Sequence, residues 1–179
     1  MEIVDFDLAM TTAVFGLFSF AWFGWAQERP PDDRVRWALG AGSLLALGLA
    51  AYGVVRVFGA QGEGVLADGD NLRTYLIVVG LEFALALAGA IVLRVVDRSE
   101  YTSAWICLVV GAHFFPLASL LNQPILHLVG VLLCVWPFLA VRGARRRDVS
   151  ISFATGVGAG VCLLFFDAVL ALTLLIDLG

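Results

Sequence analysis

Asn122-Gln123-Pro124 interrupts an apolar run that would otherwise extend from Tyr101 to Val141. Read as a break, the three residues end one membrane-crossing helix and start another. Read through, they leave five crossings and invert everything downstream. Proline at the first position of a helix gives up an N–H that has no intrahelical partner in any case. Two amides before it suit a tight turn. The stretch therefore predicts a stop and a restart, and with it an even number of crossings.

Outward from that turn, a crossing needs about 20 mostly apolar residues. Six windows meet the requirement: Leu8–Ala26, Trp37–Gly59, Thr74–Val96, Tyr101–Leu121, Pro124–Val141 and Ile151–Ile176. The fold expected is all-α, a polytopic six-transmembrane-helix bundle forming a single domain over residues 1–179. Composition agrees, with 61% of the 179 residues hydrophobic and 15% charged, where soluble domains average about 45–50% and about 25%. A soluble globule of this size has too little interior to hide that much apolar surface. The start, Met1 to Asp7, is acidic where a signal peptide needs a basic region, so the first window is expected to persist as a spanning helix.

The charges are segregated. All 11 basic residues are arginine. Nine of them, Arg29, Arg34, Arg36, Arg94, Arg98, Arg142, Arg145, Arg146 and Arg147, fall in the three connections on one side of a six-helix topology. The other side holds Arg56 and Arg73 with Glu2, Asp5, Asp7, Glu63, Asp68, Asp70 and Asp177. The positive-inside rule then places the arginine connections in the cytoplasm and both termini outside. The location expected is a cell membrane; the arginine-only basic set, read as a high-GC coding bias, points to a prokaryotic plasma membrane. Arg145, Arg146 and Arg147 are expected to meet anionic lipid headgroups.

Several function classes fall away. Without lysine there is no Schiff-base chemistry. No phosphate-binding loop and no H-E-x-x-H occurs, and two histidines at unequal depths do not suit a bis-histidine haem. Nothing supports nucleic-acid binding. Cys107, Cys134 and Cys162 each sit in an apolar run and read as small packing residues. Asp68-Gly69-Asp70-Asn71 lacks the ligand run of a calcium loop and reads as a turn with a helix cap.

Small residues four apart, Ala38/Gly42/Ala46/Ala50, Gly80/Ala84/Ala88 and Ala154/Gly158/Cys162, predict a tight centre of the second, third and sixth helices. The aromatic-rich first helix is expected to face lipid, with Trp22 and Trp25 in the interfacial belt.

Ionisable groups inside a span are costly and are functional candidates by default. Here they are Glu82, His113 and Asp167, with Arg56 and His127 nearer the terminal side. At about 1.5 Å per residue, Glu82, His113 and Asp167 lie roughly 12, 12 and 14 Å below that side, in one layer. Pro116, beside His113, is expected to free the Ala112 carbonyl and kink its helix. The pattern predicts an outward-opening polar pocket for a cation, a proton or a small polar solute, and so a transporter or channel. Set against it are an accessory or scaffold subunit, in which the same residues are interhelical contacts, and, ranked last, a lipid-acting enzyme that uses Glu82, His113 and Asp167 as metal ligands. A homo-oligomer or a partner subunit is compatible with each.

Overall fold

The described residues form six long helices and two short 3-10 turns: α1 (Glu2–Ala26), α2 (Asp33–Gly59), α3 (Gly69–Val95), α4 (Thr102–Leu120), α5 (Ile125–Arg147) and α6 (Ile151–Ile176), with the turns at Val65–Ala67 and Ser99–Tyr101. The computed structural model describes residues 2–60 and 64–176, with side chains from Phe6 onward. The Glu2, Asp5, Glu63 and Asp177 carboxylates, counted in the charge reading, lie outside the described residues. All six helices are long and apolar enough to cross a membrane, which points to a membrane protein.

The break at Asn122-Gln123-Pro124 is present. α4 stops at Leu120, and Asn122 turns the chain with φ 51° before α5 starts. Asp97 and Asp148 turn the chain at the ends of α3 and α5 in the same left-handed conformation, which Asn and Asp tolerate better than other side chains. α2 begins at Asp33, capped by the Asp32 carboxylate, which accepts the Val35 N–H at 2.9 Å. Asp68 caps α3 by accepting from Asp70 and Asn71, as the capping reading expects. The connection expected to hold Arg142–Arg147 is instead the last turns of α5, so those arginines are helical. There they complement the C-terminal end of the helix dipole. Pro116 lies within α4, and Pro137, which the sequence reading passed over, lies within α5.

The packing corrects the expected centre. The core is built from α1, α4, α5 and α6, around Phe15, Trp22, Val110, Phe114, Leu133, Leu163 and Phe166. α2 docks on α1 and α3 docks on α4. None of the 27 residues of α3 is buried, and its Gly80/Ala84/Ala88 stripe is exposed. α1, expected to face lipid, is central: Phe15, Trp22 and Phe23 are buried, and only part of its aromatic set, including Phe18 and Phe20, faces out. The small-residue rule holds for α2, whose partner is α1; on α6 the Ala154/Gly158 stripe instead meets Trp136 of α5, and it is Gly156 and Gly160 that lie against α1. Gly16 is pressed against the Ala46 carbonyl and Ala50 amide, and Gly53 against the backbone of Ala9 and Ala13. The Ser19 hydroxyl donates to the Gly160 carbonyl at 2.8 Å, tying α1 to α6.

The cysteine thiols are free and fill interhelical space. Cys107 donates to the Leu133 carbonyl at 3.4 Å, bridging α4 and α5.

Candidate functional site

The site begins at the α3–α4 seam. Tyr75, Val79 and Glu82 recur at helical spacing along one face of α3; Val110, His113 and Leu117 do the same on α4, with Leu121 just past its end. With Asp7, Thr11, Val14 and Phe18 of α1 they line a cavity of about 120 Å³ at the end of the bundle where α1 and α3 begin. Its walls are mostly apolar, with Phe15, Phe114 and Leu126 among them, and its polar groups are few: Asp7, Thr11, Tyr75, Glu82 and His113.

Two of the polar groups meet. Glu82 Oε2 lies 3.6 Å from His113 Nε2, with the side chains 10% and 13% exposed. The other ring nitrogen is committed: His113 Nδ1 lies 2.6 Å from the Val110 carbonyl oxygen. A carbonyl can only accept, so Nδ1 carries a proton. Nε2 then faces the carboxyl across a gap in which, without another proton, two acceptors would oppose each other. The contact is favourable only with one further proton, held either by His113 as imidazolium or by Glu82 as the acid. At 3.6 Å the two groups are within ion-pair reach but further apart than a hydrogen bond, so the proton belongs to one partner or the other.

Around the pair, the rim is held by polar contacts. The Thr11 hydroxyl lies 2.8 Å from the Asp7 carbonyl oxygen and 3.2 Å from Gln123 Oε1, joining α1 to the α4–α5 turn. The Asp7 carboxylate accepts the Val65 N–H with both oxygens at 3.1 Å, which fixes the Val65–Ala67 turn over the start of α1. On the other side of the seam, a shallow recess of about 390 Å³ touches the same Glu82 and His113, with Leu85, Trp105, Ala112 and Pro116. The pair therefore stands as the partition between the cavity and that recess, and the Trp105 indole N–H closes the seam below it by donating to the Leu85 carbonyl at 3.0 Å.

The remaining candidates are placed elsewhere. Asp167 does not line the cavity. It is wholly buried on α6, and neither carboxylate oxygen has a hydrogen-bond partner. Arg56 makes no ion pair among the described residues, and its Nε is buried without a partner. His127 is exposed, its ring 6.2 Å from that of Phe115. No cluster of three His, Cys, Asp or Glu side chains able to hold a metal ion forms among the described residues, so the metal-ligand set Glu82, His113 and Asp167 is not assembled.

Four polar residues were not among the sequence candidates for the site: Asp7, counted only as a terminal-side charge, Thr11 and Tyr75 in the cavity, and Thr12, wholly buried on α1. A signal existed for Tyr75, which precedes Glu82 by seven residues and so shares its face. At the arginine end, a polar recess of about 670 Å³ lies among residues including Arg29, Arg98, Glu100, Arg145 and Asp148. There the Arg145 guanidinium bonds the Tyr101 hydroxyl and stacks 5.6 Å from its ring centre.

Comparison with protein families, with curated proteins and with solved structures finds no match to this chain.

Proposed function

We propose that the chain is a small membrane transporter whose cavity takes up a small organic cation in exchange for the proton held by Glu82 or His113. The observation that carries this reading is the 3.6 Å contact of Glu82 with His113, whose other nitrogen is already bonded. A carboxylate in that position has two ways to be compensated, the proton on it or on His113, or the ammonium group of a solute. The two exclude each other, which is the logic of exchange. Apolar walls with a few placed polar groups suit a ligand with a hydrocarbon body and one charged end. Two lining carboxylates, Asp7 and Glu82, set the sign of that charge. The arginine-rich connections support an orientation in which the cavity opens away from the cytoplasm.

The test is flux. In proteoliposomes loaded with a pH dye, radiolabelled methylammonium, propylammonium and phenethylammonium are expected to enter saturably with proton counterflow. Glu82→Gln and His113→Gln are expected to abolish the coupled flux. Uptake and counterflow equal to those of empty liposomes for every amine would sink the proposal.

A second reading, an accessory subunit, is supported by α3, which buries none of its residues and, among the described long helices, packs substantially only on α4. A partner or second copy covering α3 would co-purify in mild detergent and crosslink from Leu81→Cys.

A further inference from the structure

Ser19 and Gly160 fix the register of α1 against α6, because the Ser19 hydroxyl reaches the Gly160 carbonyl across that interface. The helices run antiparallel there, and seven residues is close to two full turns. Stepping back seven residues from Ser19 gives Thr12, and stepping forward seven from Gly160 gives Asp167. Thr12 and Asp167 therefore face each other across the same interface, two turns nearer the chain termini. Both are 0% exposed, and Thr12 Oγ1, Asp167 Oδ1 and Asp167 Oδ2 all lack a hydrogen-bond partner.

α2 adds to this layer. Gly53 lies against the backbone of Ala9 and Ala13, which places the preceding residue, Tyr52, at the level of Thr12. The Tyr52 hydroxyl is likewise buried and unpartnered. Three side chains on three helices thus carry buried oxygen atoms with unmet demand, and one of them is a carboxylate. Arg56, one turn from Tyr52 on the same helix, makes no ion pair with it among the described residues.

We infer that Thr12 and Asp167 form a binding site for a single dehydrated monovalent cation, sodium, with Tyr52 supplying a further oxygen. An all-oxygen donor set selects a hard cation. The single carboxylate balances one positive charge; a divalent ion there would leave a net charge in the apolar interior, which is costly. The close packing of α1 against α2 and α6 leaves the ion to be held by protein oxygens. This inference stands on the α1–α6 interface and does not depend on the reading of the Glu82–His113 cavity.

The experiment is binding of radioactive sodium to the purified full-length protein, paired with thermal melts in sodium, potassium or choline chloride at equal ionic strength. Saturable binding of about one sodium per chain is expected, with a melting temperature several degrees higher in sodium than in the other salts. Thr12→Val is expected to weaken binding tenfold or more and Asp167→Asn to abolish it, whereas Thr12→Ser and Glu82→Gln retain it. Should Asp167→Asn fail to fold, the Thr12→Val and Thr12→Ser pair still decides. No saturable sodium binding, or binding indifferent to Thr12→Val, overturns the inference and leaves a proton or a water molecule as the partner of Asp167.

Discussion

His113 Nε2 points at Glu82 Oε2 from 3.6 Å while its Nδ1 is bonded to the Val110 carbonyl. One backbone bond thus orients the ring and assigns its tautomer, and the α3–α4 contact becomes dependent on a proton. A double-mutant cycle built from Glu82→Gln and His113→Gln is expected to show coupling of roughly 0.5–3 kcal/mol in stability, the range for residues in direct contact. Additive effects in thermal or denaturant unfolding would mean that the two side chains do not interact.

The α1–α2 contact is predicted to be intolerant of bulk at Gly16. A Cβ there would come 2.6 Å from the Ala46 carbonyl oxygen and from the Ala50 amide nitrogen, both backbone atoms that cannot swing aside. Gly16→Val should cost about 1–3 kcal/mol by overpacking, read as a lower melting temperature in detergent. Gly24→Ala on the same helix meets nothing within 4 Å and should leave the melting temperature unchanged or slightly raised.

Ser19→Ala removes the hydroxyl that bonds Gly160 while keeping the small volume the interface needs. The expected cost is about 0.6 kcal/mol, the average for such bonds between membrane helices. Ser19→Leu should be far more damaging, because it adds bulk at a fully buried position. Equal melting temperatures for the two variants would contradict the assigned packing.

Orientation is open to direct labelling. With the three native cysteines replaced by serine or alanine, Asp70→Cys at the start of α3 should react with a membrane-impermeant maleimide added to intact cells. Arg146→Cys, in the last turn of α5, should react only after permeabilisation. The reverse pattern would invert the proposed topology and put the cavity on the cytoplasmic side.

Position along the helices was readable from sequence, and rotation about them was not. The turn at Asn122 announced itself through Pro124, and the six apolar windows match the six helices to within a few residues except at ends such as Arg142–Arg147. Glu82 and His113, assigned similar depths, do meet. Asp167 was assigned the same depth and sits in a different interface, because distance from a helix end says nothing of which neighbour a side chain faces. The same limit explains α1 and α3. In lipid, apolar surface is as content outside as inside, so the aromatic run of α1 and the small-residue stripe of α3 do not declare which of them packs. Buried position goes to α1, whose Gly16 and Ser19 allow two helices to approach it at once. Thr12 and Tyr52 were passed over because single hydroxyls in an apolar run are common; only their burial without a hydrogen-bond partner, like that of Asp167, sets them apart.

The most direct test of proton-for-cation exchange at Glu82 and His113 is the proton count on ligand binding. Propylammonium is titrated into the purified protein in weakly buffered solution, and the released protons are measured alongside the binding isotherm. The account predicts saturable binding with about one proton released per amine bound, and in Glu82→Gln both an affinity lowered at least tenfold and the loss of that proton release. Amine binding without proton release, or binding of equal strength in Glu82→Gln, would contradict it.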